Sequence, residues 1–195
     1  MIFRAPPSIR RRLGDESDDD LIAAAVRGDT GAFGHLVVRH QSAARHLAAA
    51  LAGPSDADDI AQEAFIRAYR SLDTFRSGSP FRPWLLRIVA NQARNHHRGM
   101  KRRDGRNASN AARVPTAPAG PSEAAELADD RARLTAAIRQ LPEKDRRVLA
   151  FRYLMDLTED ETALALNVAR GTVKSRTSRA LGKLRARLDP SGGIR

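Results

Sequence analysis

TEDETALALNVARGTVKSRTSRALGKLRARL, residues 158–188, encodes two short helices joined by a tight turn, and the rest of the chain is read outward from it. Thr158 and Glu161 form a capping box. The hydroxyl can accept from the backbone N–H of Glu161 while the carboxylate reaches back to the N–H of Thr158. The helix so begun runs through Ala163 to Leu166. Asn167 follows, one of the few residues besides glycine that tolerates the left-handed conformation needed for a sharp exit. A second helix begins near Arg170 and Gly171.

The second helix has two unlike faces. At 100° per residue Val173, Thr177, Ala180, Leu184 and Leu188 form an apolar stripe, and Lys174, Ser175, Ser178 and Arg179 lie opposite. From Asn167 to Leu188 the basic residues are Arg170, Lys174, Arg176, Arg179, Lys183, Arg185 and Arg187, with no acidic residue among them. Such a segment repels itself unless a polyanion faces it. A helix-turn-helix that lodges its second helix in the DNA major groove is the economical reading, with basic side chains on phosphates and residues near the helix start on base edges. A helix lying on a membrane would want Trp or Phe beside its apolar stripe, and neither is present.

The whole chain agrees with a polyanionic partner. Its 195 residues carry 34 Lys and Arg against 23 Asp and Glu, a formal net charge of +11. The length allows one large or two small domains. Without cysteine there is no disulfide framework, thiolate metal site or thiol nucleophile. No apolar run approaches the roughly 20 residues that span a bilayer. The start, MIFRAPPSIRRRL, has no apolar core after its arginines and is not a secretory signal, so a cytoplasmic protein is expected. Residues 1–17 read as a disordered extension.

Helical pattern begins at Asp18. In DDDLIAAAVRGD the aspartates suit a helix start, and the acidic run is explained by the helix dipole. A second helix covers Ala32 to Leu51, with Phe33, Leu36, Val37, Ala44 and Leu47 inward, and Gly53-Pro54 breaks it. In DADDIAQEAFIRAYRSLDTF, Ala61, Phe65, Ala68 and Leu72 form a core stripe. Asp58, Asp59, Gln62, Glu63 and Ile66 fall outside the stripe. An acidic, polar face with an exposed isoleucine suggests a protein contact, although the helix dipole explains the aspartates equally well.

RSGSPFR, residues 76–82, reads as a loop, and Pro83 suits the first turn of the helix PWLLRIVANQARNHHR. Trp84 and Asn91 stand beside a basic tract, the ingredients for holding single-stranded bases by stacking and edge hydrogen bonds. Taken alone, Trp84 better suits the core. From Arg103 to Ser122 the composition turns to Gly, Asn, Ala and Pro, a flexible linker. Helix resumes near Glu123, and Pro142 opens a further helix with Val148, Leu149, Phe151 and Leu154 placed to pack under the helix-turn-helix. The fold class is all-α: a helical domain over 18–102, a linker over 103–122, a helix-turn-helix domain over 123–189 and a disordered tail over 190–195.

These motifs, in this order, resemble an extracytoplasmic-function sigma factor, the smallest of the sigma-70-type factors that direct bacterial RNA polymerase to promoters. The stretches that carry the resemblance are GDTGAFGHLVVRHQ, DADDIAQEAFIRAYRSLDTFR, FRPWLLRIVANQARN, LPEKDRRVL, LTEDETA and GTVKSRTSRALGKLR, across roughly residues 18–188. The resemblance implies that 18–102 is sigma region 2 and 123–189 is sigma region 4. It implies docking of Asp59, Gln62, Glu63 and Ile66 on the β′ clamp helices of the polymerase core, with the β flap as a second contact. It places Phe75, Arg76, Ser77, Gly78, Ser79, Phe81, Trp84 and Asn91 at the −10 element, where a base is flipped out and the strands separate. It places Lys174, Ser175, Ser178 and Arg179 on bases of the −35 element, with Thr172 beside them and Arg170 and Arg176 on phosphates. It further implies an anti-sigma factor wedged between the domains and a free protein able to hide its DNA-binding surfaces.

The chain departs from the family at three places. Ala169 stands where a Ser or Pro often precedes the recognition helix, Thr162 replaces the usual Ile against Leu157, and Ser178 is small where some relatives carry an aromatic. No phosphate-binding glycine loop, HExxH or nucleophile elbow is present, and the histidines are poorly spaced for a metal. A chain that catalyses no reaction and needs no cofactor or metal is expected. An ordinary helix-turn-helix repressor or activator would explain 158–188 but leaves the acidic helix around Asp59 to Glu63 without a role. A DNA-cleaving enzyme would need a carboxylate cluster, and Asp18–Asp20 and Asp58-Asp59 sit naturally at helix starts.

Overall fold

The computed structural model describes residues 16–104 and 133–188, and among these there is no strand. Helix α1 (Asp18–Val26) is capped by Ser17, whose hydroxyl accepts from the N–H of Asp20. The cap is thus a serine inside the stretch expected to be disordered, not one of the aspartates; residues 1–15 lie outside the described residues. Asp18 does more than meet the helix dipole. Its carboxylate lies 2.6 Å from Arg39 and 2.8 Å from the buried His40, tying α1 to α2 (Thr30–Ala52). Helix α2 ends at Gly53, whose φ of 114° is a conformation that few side chains tolerate.

Helix α3 (Ala57–Arg70) turns Ala61, Phe65 and Ala68 inward together with Ile60 and Ala64, and Leu72 completes the stripe from a 3-10 turn (Leu72–Thr74). Small residues on that face let α3 lie close to α2 and α4. Helix α4 (Phe81–Asp104) starts two residues earlier than Pro83 and runs past Arg103. Pro83 still falls in its first turn, where a missing N–H leaves no bond unmade. Leu85, Leu86 and Val89 of α4 are fully buried at the centre of the first half. The expected linker beyond 104, the resumption near Glu123 and the tail lie outside the described residues.

The second half begins with α5 (residues 133–139) and α6 (Glu143–Leu149), followed by a π-helical turn (Ala150–Leu154). That wide turn changes the register. Met155 is buried, whereas Leu154, expected to pack, is 51% exposed. Helix α7 (Glu159–Leu166) has both bonds of the Thr158–Glu161 capping box, and Asn167 closes it at φ 52°, ψ 54°. Helix α8 (Arg170–Leu188) buries Val173 and Ala180 against Leu141, Val148 and Leu149, with Leu184 packed beside them. Leu188, expected on the same stripe, is exposed. The buried Asp145 carboxylate accepts from Lys183 Nζ at 2.5 Å and pins α8 to α6.

Phe151 packs not only with α7 of the helix-turn-helix but also with the first half. With Met155, Leu157 and Ala165 it joins the buried cluster of the first half, and α7 lies along α4. The π turn packs against α2 and α7, so the partners of Phe151 are set by the tertiary arrangement. Full burial of each large side chain in this seam contributes about 1.5–3 kcal/mol.

Two stability outcomes follow. Thr162 is fully buried and its hydroxyl has no hydrogen-bond partner among the described residues. Thr162→Val should raise stability by about 1 kcal/mol in urea unfolding, since an isosteric methyl removes an unsatisfied group. Lys183→Ala leaves the Asp145 carboxylate buried and alone, and should cost about 2–3 kcal/mol. Adding Asp145→Asn should recover more than half of that loss.

Candidate nucleic-acid and protein-docking surfaces

Helices α2 and α3 frame an open groove of about 900 Å3 whose apolar walls include Phe33, Val37, Phe65, Ile66 and Tyr69. Phe33 and Tyr69 pack ring to ring in that wall, with centroids 4.9 Å apart. Ile66 is 45% exposed although it is an aliphatic residue on a helix whose other face is core. Gln62 and Ile66 line the groove; Asp59 and Glu63 are exposed but lie outside its lining. Glu63 instead accepts from Gln92 of α4 at 3.4 Å, and Asp58 pairs with Arg45 of α2 at 2.6 Å. The sequence reading missed the contribution of α2. Its signal was present in Phe33, Val37 and Gln41, which recur at intervals of four.

The loop between Phe75 and Phe81 stands on an aromatic base. Phe75, Phe81 and Trp84 lie within 5.1–5.8 Å of one another, centroid to centroid, and His40 packs on Phe81 at 5.3 Å. Phe75 and Phe81, expected from the resemblance at the −10 element, are buried here and pack in this cluster. Trp84 is half-buried on the same cluster. Arg76, Ser77 and Gly78 are exposed above it, and Ser79 donates its N–H to the Arg76 carbonyl. Gly78 has φ 76°, which makes the tight turn available. Asn91 is separate from this loop: its Oδ1 accepts from Arg147 Nη2 at 3.4 Å, across the seam between the halves.

On α8, Lys174, Ser175, Ser178 and Arg179 are all exposed on one face, as the stripe argument requires. Thr172 is half-buried near the helix start, with its N–H bonded to the Ala169 carbonyl. Arg170 is engaged within the protein: its Nε donates to Glu159 at 3.1 Å and Asp160 lies at 3.5 Å. The hydrogen bond to Glu159, then the charge of Asp160, raise its pKa, so a phosphate there would have to displace two carboxylates. Arg176 is half-buried and lines a cleft with Arg94, Glu143 and Arg147, turned towards the seam rather than along the exposed face. Arg170 and Arg176 are thus not grouped with the other four.

Among the described residues no three His, Cys, Asp or Glu side chains gather closely enough to hold a metal ion. No described helix is long and apolar enough to cross a membrane.

The family Sigma-70 region 2 matches residues 36–103, and the family Sigma-70, region 4 matches residues 131–184. The ECF RNA polymerase sigma-E factor of Escherichia coli strain K12 is 32% identical over 182 residues, covering 89% of this chain and 95% of that protein. The RNA polymerase sigma-H factor of Pseudomonas aeruginosa is 35% identical over 187 residues, covering 91% and 97%. Among solved structures, CnrH in complex with the cytosolic domain of CnrY has a TM-score of 0.68 at 30% identity, covering 91% of this chain and 100% of that one. The sigma factor RpoE of Bartonella quintana shares the fold, with a TM-score of 0.65 at 24% identity, covering 80% and 96%. Two family matches in the order the fold requires, and relatives aligned over nearly their whole length, place this chain among the extracytoplasmic-function sigma factors, initiation factors that act with RNA polymerase at promoters.

Proposed function

We propose that the α2–α3 groove receives a helical element of core RNA polymerase, with Ile66 and Gln62 as its central contacts and the exposed Asp59 and Glu63 of the same helix as further contacts outside the groove. The observation that carries this reading is the pairing, in one chain, of an open apolar groove that leaves Ile66 exposed with a remote basic helix face. A repressor would use the second and leave the first empty. An exposed aliphatic residue between polar neighbours is how a helix-in-groove contact is commonly anchored.

Promoter reading is divided between the halves. Lys174, Ser175, Ser178 and Arg179 face bases of the upstream duplex element, and the absence of carboxylates from that face of α8 lets phosphates approach. Arg76, Ser77, Gly78 and Ser79 contact the separated downstream strand, with Phe75, Phe81 and Trp84 holding the loop in shape beneath it. Asn91 becomes available to an unpaired base when Arg147 withdraws. The two domains are 18–102 and 123–189, the chain between them follows the polymerase surface, and the protein performs no chemistry of its own. It acts in the cytoplasm and is held in check by an anti-sigma factor; the CnrH complex, in which a relative of this fold is bound to a second protein, supports a partner of that kind.

Two variants separate these roles. Lys174→Ala with Arg179→Ala should weaken binding to an upstream-element duplex ten- to a hundredfold, the loss of one good base contact being worth about 1–3 kcal/mol, and leave core polymerase affinity unchanged. Gln62→Ala with Ile66→Ala should weaken core affinity at least tenfold in fluorescence anisotropy and leave duplex binding intact. Loss of both activities in either variant would contradict the assignment.

A further inference from the structure

Beside the apolar seam, α4 and the α5–α6 segment enclose a cavity of about 510 Å3. Arg94 and Arg98 reach it from α4; Arg139, Arg146 and Arg147 reach it from the second half. Against these five guanidinium groups its described lining offers one carboxylate, Glu143. Glu143 is stretched between two of them, with Oε1 3.9 Å from Arg94 Nε and 3.8 Å from Arg147 Nη1. The remaining contacts are few. Arg146 donates to the Arg139 carbonyl at 2.9 Å, and Arg147 to Asn91 at 3.4 Å. The Nε atoms of Arg94, Arg146 and Arg147 are buried with no hydrogen-bond partner among the described residues.

Burial lowers the pKa of Arg146, with Arg139 adding to the effect and Glu143 opposing it. For Arg147 burial is again the first cause, followed by the charge of Arg94. Clustered cations that have lost water and gained too few acceptors are poorly compensated. Planar guanidinium forks match phosphate oxygens in pairs, and several converging on one space suit an anion of high charge density. The volume lies in the range of about 300–1,000 Å3 usual for small-molecule sites, and is far too small for a duplex.

We propose that this cavity binds a small soluble polyphosphate, either an inorganic chain or the polyphosphate of a nucleotide, through arginines from both halves of the chain. A ligand so placed bridges α4 and α6 and holds the halves together over Asn91. The site stands apart from the groove and from the exposed face of α8, so its test needs neither polymerase nor promoter.

The test is calorimetric titration of the full chain with sodium tripolyphosphate in magnesium-free buffer. One saturable site is expected, with a raised Tm. Arg98→Gln on one side or Arg146→Gln on the other should each weaken binding at least tenfold with circular dichroism unchanged, whereas Lys174→Ala with Arg179→Ala should bind as the parent does. Tighter binding of adenosine triphosphate than of tripolyphosphate would support a nucleotide, and the reverse an inorganic chain. The proposal is overturned by absence of saturable binding, by equal weakening in the α8 variant, or by displacement of the probe by a short oligo-dT strand at lower concentration. Binding that appears only after Glu123, Glu126, Asp129 and Asp130 are neutralised would assign the cavity to the chain's own acidic segment, and would overturn it too.

Discussion

Burial of Phe151, Met155 and Leu157 against the first half is the interaction on which the relation of the two halves depends. It works against charge. Arg94 and Arg98 on α4 face Arg146 and Arg147 across the same seam, with Glu143 between them. Like charges brought to one partly desolvated place repel, and the buried apolar side chains return about 1.5–3 kcal/mol each. The apolar contact thus carries the cost of bringing these cations together.

Asn91 lies within the seam, bonded to Arg147, while the loop at Arg76 to Ser79 and the face of α8 lie outside. The exposed face of α8 is therefore presented while Asn91 is engaged within the protein. The walls of the α2–α3 groove are built from the first half alone, so the groove does not depend on the contact between the halves.

Much of this was legible in the sequence where the signal is local. The Thr158–Glu161 box and the Asn167 corner are settled within a few residues, and both stand in the structure as the residues dictate. The stripes of α2 and α3 follow from periodicity alone. Leu154 and Met155 exchange places because a single wide turn shifts the register, and no propensity at those positions announces it. Phe151 was recognisable as core, but not as the core of the other half. The same limit governs the sites. The exposed face of α8 and Ile66 were found from their own helices. The contribution of α2 to the groove, the burial of Phe75 and Phe81, and the engagement of Arg170 and Arg176 arise from neighbours distant in sequence.

The central claim is that one chain joins a polymerase-binding groove to a promoter-reading helix. Run-off transcription with purified core polymerase on a library of promoter fragments, with and without this protein, tests it most directly. The account predicts discrete start sites that appear only when the chain is added and that share upstream and downstream sequence elements. Tight binding of the protein to duplex DNA without any new start site would contradict it.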